Sequence, residues 1–338
     1  MTGMGTDNTT NQETANSPDL VADVSVEDRI AKELGSFGNE SDVHPEEQTP
    51  DPLLSGISLY PGVELGIEDM AALMREEPSQ LIAILGPQNA GKTLYLVALY
   101  LICACGQAAD FGYEFAGSLT LPGFEDRARN SRRWRIGEIP AKMSVHTRVG
   151  DSRGPGFMHL DLLHNETSSI KRLFLSDLPG EWTTQLIDAA HLSERFSFLE
   201  RADVICLMIE ATSLVGPLRH AEVERQRMLI DRIKGIVAPD GRKMAIIATK
   251  GDVVKLRQPQ ALQDIADYAS NAGFQTTAMI VASVSSDDEI ESGAGIFESL
   301  IWMLSATDLD RVASVFPARA PERLFGWTPI MAGSPSLD

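Results

Sequence analysis

One stretch constrains this chain more than any other. Leu81-Ile82-Ala83-Ile84-Leu85 is an unbroken apolar run, and Gly86-Pro87-Gln88-Asn89-Ala90-Gly91-Lys92-Thr93 follows it at once. An apolar run of that length suits a strand buried on both faces, as in a parallel sheet. The segment after it sets two glycines with four residues between them and then Lys-Thr, the pattern of a phosphate-binding loop. Glycines let the backbone curl until successive N–H groups face an anion. The helical pattern from Thr93 to Cys105 then supplies a dipole whose positive end meets the same anion. In this reading Gly86, Asn89, Ala90, Gly91 and Leu94 line the loop, Lys92 reaches the terminal phosphates, and the Thr93 hydroxyl ligates Mg²⁺. The competing account is a chance glycine turn, which the strand before and the helix after it disfavour.

Further apolar runs recur at Leu173–Leu175, Val204–Ile209, Met244–Ala248 and Met279–Ala282. Helical patterns separate them at Glu222–Ile236, Pro259–Ala272 and Gly295–Leu304. This alternation predicts βαβ units: a three-layer α/β fold with a mostly parallel sheet and helices on both faces. A short helix is expected over Ile67–Glu77. Phe157–Leu163 is expected as an edge strand beside Leu173–Leu175, and Gly106–Gly112 as the first helix's exit turn.

Two more segments carry chemistry. Leu173–Leu175 runs into Ser176-Asp177-Leu178-Pro179-Gly180-Glu181. An Asp at such a strand end can hold the Mg²⁺ shell, and Gly180 can offer its N–H to a γ-phosphate. Losing that phosphate would release the segment, which makes it a switch. A plain strand-end turn is the alternative. Ala245–Ala248 leads into Thr249-Lys250-Gly251-Asp252. A carboxylate at Asp252 can accept two hydrogen bonds from guanine N1–H and N2–H₂, a donor pair adenine lacks. The Lys250 stem can stack along the base. The alternative makes Asp252 a helix cap in a polar turn. A second base-binding loop is expected after the next strand, at Ser283.

In this order the three motifs resemble a GTPase of the translation-factor and Ras-like class. The Gly-x-x-x-x-Gly-Lys-Thr-Leu-Tyr-Leu start and the Asp-Leu-Pro-Gly-Glu-Trp segment look closer to the prokaryotic double-GTPase families, associated with multi-gene bacterial systems proposed to act in biological conflict. The resemblance spans about residues 80–305. It implies GTP and GDP as ligands, Mg²⁺, and a protein partner from the same system. Two departures stand out. Glu181 follows Gly180 where Ras-like hydrolases commonly place a water-orienting Gln; it is the candidate catalytic group beside Lys92, and its charge predicts slow hydrolysis without a partner. Thr93 and Asp177 lie 84 positions apart, about twice the Ras-like separation, so an insertion at about 106–155 falls where the first switch belongs. Thr147 is the expected switch contact to Mg²⁺, with Thr120 as the alternative.

Arg127, Arg129, Arg132, Arg133 and Arg135 cluster around Trp134 in that insertion. Four readings stay open: an arginine finger acting in cis, a docking surface for an acidic partner, an RNA contact with Trp134 as stacking platform, and a solvated helix face paired with Glu125, Asp126 and Glu138. The last is favoured.

Composition narrows the rest. Residues 1–50 hold eleven acidic and two basic residues, a net charge of −9, and Phe37 is their one aromatic. Such a segment cannot bury enough apolar surface to offset its ordering entropy, so residues 1–51 are expected as a disordered acidic tail. The GTPase domain is expected over 52–312 and a C-terminal extension over 313–338. A formal net charge of −19 disfavours nucleic acid and anionic membranes as general partners. No apolar run is long enough for a membrane span, and the N-terminus lacks signal-peptide features. Three cysteines without ligand spacing disfavour a disulfide framework or zinc site. A cytoplasmic protein is expected. An ATP-using P-loop ATPase or kinase and a catalytically weak pseudo-GTPase scaffold are the rival readings.

Overall fold

The computed structural model describes residues 62–133, 154–188, 190–285 and 287–305. The tail expected over 1–51 and the extension over 313–338 lie outside the described residues, as do Trp134, Arg135, Glu138 and Thr147.

The chain begins with α1 (Ile67–Glu76), β1 (Ser79–Leu85) and α2 (Lys92–Ala104). A 3₁₀ turn over Gln107–Phe111, bounded by left-handed Gly106 and Gly112, ends α2 as the sequence predicts. Then come β2 (Tyr113–Gly117), α3 (Leu121–Arg133), β3 (Phe157–His164), β4 (Ser169–Ser176) and α4 (Gly180–Asp188). The remainder is β5 (Val204–Glu210), α5 (Arg219–Lys234), β6 (Lys243–Thr249), α6 (Gln260–Asn271), β7 (Gln275–Ile280) and α7 (Ile296–Leu304), with 3₁₀ segments around β5.

Among the described residues the strands form one sheet in the order β2-β3-β4-β1-β5-β6-β7. β4, β1, β5, β6 and β7 run parallel, while β2–β3 and β3–β4 are antiparallel. Phe157–Leu163 therefore does pair with β4, but it is not the edge. β2, from inside the insertion, covers it with a register shift between Phe115 and Gly117. The edge assignment misses β2 because five residues ending in Gly give too short an alternation to read.

Strand alternation sorts the core into two layers. Leu81, Ala83 and Leu85 of β1 face Met70 and Leu73 of α1, Trp182 and Leu186 of α4, Ile230 of α5 and Ile265 of α6. Ile82 and Ile84 point the other way, to Tyr95 and Leu99 of α2, Phe124 of α3 and Leu300 of α7. The fold is thus the expected three-layer α/β arrangement. Leu81 through Leu85 are fully buried, and each large aliphatic contributes about 1.5–3 kcal/mol by leaving water.

One buried cation fixes the far end of the sheet. Lys243 at the start of β6 is fully buried, and its Nζ donates to the Trp302 carbonyl at 2.9 Å and to Ser305 Oγ at 2.9 Å. A lysine on the last carbonyls of α7 satisfies orphan acceptors and the negative end of the helix dipole together. Gln80 Nε2 donates to Met303 O at 2.9 Å, so β1 grips the same helix end. The opposite edge of the sheet is left for chemistry. Among the described residues, no helix is long and apolar enough to cross a membrane.

Candidate nucleotide-binding site

β1 ends at Leu85, and the next residues form a tight loop before α2. Gly86 lies so near β5 that a Cβ there would sit 2.5 Å from the Met208 carbonyl oxygen. Asn89 (φ 65°) and Gly91 (φ 77°) are left-handed, the first tolerated by Asn and the second by Gly. Gly91 is the N-cap of α2 and, lacking a side chain, makes no side-chain cap hydrogen bond. A glycine-bearing loop that runs straight into a helix start is the kind of backbone that binds anions.

Lys92 folds back over this loop. Its Nζ donates to the carbonyls of Gly86 at 2.8 Å and Pro87 at 2.9 Å. Burial holds its ammonium down at about pKa 8, against the opposing pull of Asp177 and Glu181. Gly86 N–H donates to Thr183 Oγ1 at 3.2 Å, tying the loop to α4.

Asp177 and Gly180 arrive from the neighbouring strand. The Ser176 hydroxyl accepts from Ile84 N–H at 2.7 Å, which aligns the ends of β4 and β1. Asp177 is buried beside the loop, and Thr93 Oγ1 donates to its Oδ1 at 3.1 Å. A hydroxyl and a carboxylate held side by side are hard oxygen donors that fit a cation such as Mg²⁺ shared with phosphates. Gly180 starts α4 against the phosphate loop, where a Cβ would lie 2.3 Å from Gln88 N. Glu181, half-buried in the first turn of α4, sits near enough to favour the charged form of Lys92.

The base-side motif is attached to the same loop. Thr249 Oγ1 donates to the Ala90 carbonyl at 3.0 Å and the Ile209 carbonyl at 3.3 Å. Gly91 packs on the Thr249 side chain. Lys250 is left-handed (φ 56°) and its Nζ pairs with Glu210 at 2.7 Å. Burial alone would raise the Glu210 carboxyl, but hydrogen bonds from Lys250 and Thr212 hold it below its ordinary range. A left-handed lysine is strained backbone, a feature concentrated at functional sites. Gly251 sits where a Cβ would meet Leu256, Ile280 and the Val281 carbonyl within 3 Å. Asp252 is half-buried on the wall of an open cleft of about 710 Å³ shared with Lys255, Asp287, Asp288 and Glu289. Burial, and then the charge of Asp287, lifts its carboxyl above the usual range. Ser283 lines an adjoining cleft that shares Asp287–Glu289.

The chain matches the Double-GTPase 2 family over residues 80–303, two-thirds of its length and all three motifs. It belongs to that family. This Double-GTPase 2 protein thus has a P-loop GTPase fold, and guanine nucleotide is the ligand its family implies. No curated protein matches the sequence. Among solved structures, a chain of the signal recognition particle receptor SRb-GTP/SRX complex from Chaetomium thermophilum is similar at 10% identity and a TM-score of 0.39, over 65% of this chain and 98% of its own. A GTP-binding protein of the hyperthermophilic archaeon Sulfolobus solfataricus, in complex with GDP, is similar at 12% identity and a TM-score of 0.35, over 70% of this chain and 56% of its own.

Two sequence expectations change. Thr120, the alternative switch threonine, is buried, and its Oγ1 accepts the His159 N–H at 2.9 Å, anchoring the start of α3 to β3. The arginine cluster divides. Arg129 pairs with Asp126 and Arg132 with Glu125, each at 2.8 Å, as a solvated helix face. Arg127 instead turns inward, and its Nε donates to Asp177 Oδ2 at 2.8 Å. The signal was present: Phe124, Arg127 and Ala128 have the i, i+3, i+4 spacing of one buried helix face.

Proposed function

We propose that this protein binds GTP with Mg²⁺, hydrolyses it slowly to GDP and phosphate, and works as a nucleotide-controlled switch or energy module in a multi-protein system. The observation that carries this is the convergence on one loop. Thr93 and Asp177, Gly180 against Gln88, and Thr249 on Ala90 bring all three motifs to the end of β1.

Thr93 and Asp177 would hold Mg²⁺, which would supply positive charge to offset that of the phosphates. Lys92 exchanges its two carbonyl partners for the β- and γ-phosphates. The N–H groups from Asn89 to Leu94 cradle the phosphate chain. Gly180 offers its N–H to the γ-phosphate, and Glu181 orients the attacking water. Lys250, Asp252 and Ser283 surround the base, with Asp252 selecting guanine. The chemistry is in-line displacement promoted by position and charge. The carboxylate of Glu181 adds negative charge beside phosphates, so turnover is slow until a partner protein docks. A role in a bacterial conflict system, suggested by the family resemblance, and a cytoplasmic location, suggested by the composition, are part of this proposal.

Single-turnover phosphate release from GTP and from ATP tests it. The expected result is slow release from GTP, weaker release from ATP, and a Glu181→Gln variant whose rate changes while its nucleotide affinity does not. ATP turned over as well as GTP overturns the guanine assignment.

A further inference from the structure

The insertion delivers one arginine to the phosphate-binding end of the sheet, and none of the steps above uses it. α3 buries Phe124, Arg127 and Ala128 while its other face stays in water. The Arg127 side chain is 10% exposed. Its Nε donates to Asp177 Oδ2 at 2.8 Å, its Nη2 pairs with Glu64 Oε2 at 3.2 Å, and its Nη1 donates to the carbonyls of Gly123 at 3.2 Å and Val63 at 3.4 Å. Asp177 Oδ1 meanwhile accepts from Thr93 Oγ1. A single buried carboxylate thus joins the insertion helix to the threonine at the start of α2.

We infer that Arg127 is a fixed positive charge of the nucleotide site that acts through Asp177, lowering the dependence of nucleotide binding on the divalent cation. It is a positioning residue, since it touches the carboxylate and not the ligand. The inference rests on the guanine-nucleotide reading above and adds a property of this chain's own insertion to it. Without Arg127, the buried Asp177 carboxylate beside Thr93 loses its directly bonded cation and keeps the longer-range pull of Lys92. Such a group repels the phosphates when no metal is bound and attracts the metal more strongly when it is present. With Arg127 in place, its guanidinium, shared with Glu64, offsets much of the Asp177 charge, and both effects shrink. Because the pair is buried, bulk salt screens it poorly.

The test uses the full chain and GDP, with calorimetric dissociation constants in Mg²⁺ and in EDTA. The readout is the ratio of the two constants, which a loss of general stability does not move. Arg127→Gln raises the EDTA-to-Mg²⁺ ratio by at least about tenfold, since a poorly screened unit charge at short range is worth more than that factor. Arg127→Lys keeps the charge and holds the ratio near that of the parent. The double variant Arg127→Gln/Asp177→Asn leaves no charge at the buried Asp177 position (Glu64, the other partner, is 32% exposed), folds if the single variant does not, and brings the ratio back to the parent value or below. A ratio unchanged in Arg127→Gln, or still raised in the double variant, overturns the inference while leaving guanine-nucleotide binding intact. No GDP binding by the parent in Mg²⁺ overturns both.

Discussion

The phosphate half and the base half of the site are built from different materials. Around the phosphate loop, Lys92, Asp177 and Arg127 are all buried, glycines stand where no Cβ fits, and β1, β4, α2 and α4 each supply a constraint. On the base side, Asp252 lies half-exposed in an open cleft whose other walls include three more acidic residues, and the Lys250–Glu210 pair is solvent-accessible on both partners. Thr249 is buried there, and its hydroxyl serves the phosphate loop. The lesson is a division of labour. On the proposed function, affinity would come from a desolvated anion cradle that is blind to the base, and selectivity from the half-buried Asp252 carboxylate.

The largest effect belongs to the phosphate half. Lys92→Ala removes the charge that replaces two backbone carbonyls with phosphates. It should weaken GDP and GTP binding by about 3 kcal/mol, roughly a hundredfold, because the buried phosphates lose their charge partner. If the division holds, the loss is the same for adenine nucleotides, measured by titration side by side.

Next comes Gly180→Ala. The added methyl would lie 2.3 Å from Gln88 N, a backbone atom that cannot swing away. Overpacking of that kind costs about 2 kcal/mol, or about 6 °C in Tm for a domain of this size. GDP affinity should fall with it while guanine-over-adenine selectivity stays constant. A change in selectivity would show that the two halves are coupled through α4.

The smallest effect is a matter of protons. Lys92 is held near pKa 8 by burial, and phosphates must raise it again because they favour the ammonium. Binding at pH 8 therefore takes up roughly half a proton and at pH 9 nearly a whole one, so affinity falls as pH rises through that window. Binding enthalpies in buffers of differing ionisation heat measure the uptake, and Lys92→Ala should abolish it.

Much of the fold is legible in the sequence because the central strands are buried on both faces. Leu81–Leu85, Val204–Ile209 and Met244–Ala248 read as continuous apolar runs for that reason. β2 is not legible: it is short, ends in Gly117 and gains its place by pairing with β3. The phosphate loop and the Asp177–Gly180 turn are legible because a local backbone requirement writes itself as glycines at fixed spacing. Arg127 on Asp177 and Thr249 on Ala90 join residues 50 and 159 positions apart. Nothing local records such a contact. Charge type misled as well, since an arginine beside Asp126 and Glu125 looks solvated until the buried face of α3 is traced through Phe124 and Ala128. Lys243 escaped notice for the same reason, a lone lysine at a strand start whose partners are carbonyls at the end of α7.

The central claim is that a guanine-selecting carboxylate sits beside a base-blind phosphate cradle. Calorimetry of GDP against ADP in Mg²⁺, for the parent and for Asp252→Asn, tests it most directly. The account predicts tighter binding of GDP than ADP in the parent. In the variant it predicts GDP weakened by about 2 kcal/mol and ADP unchanged, because one charged acceptor of two guanine donors is lost and the cradle is untouched. Equal GDP and ADP binding that Asp252→Asn leaves alone would contradict it, and would make Thr249–Asp252 a turn that braces the phosphate loop and reads no base.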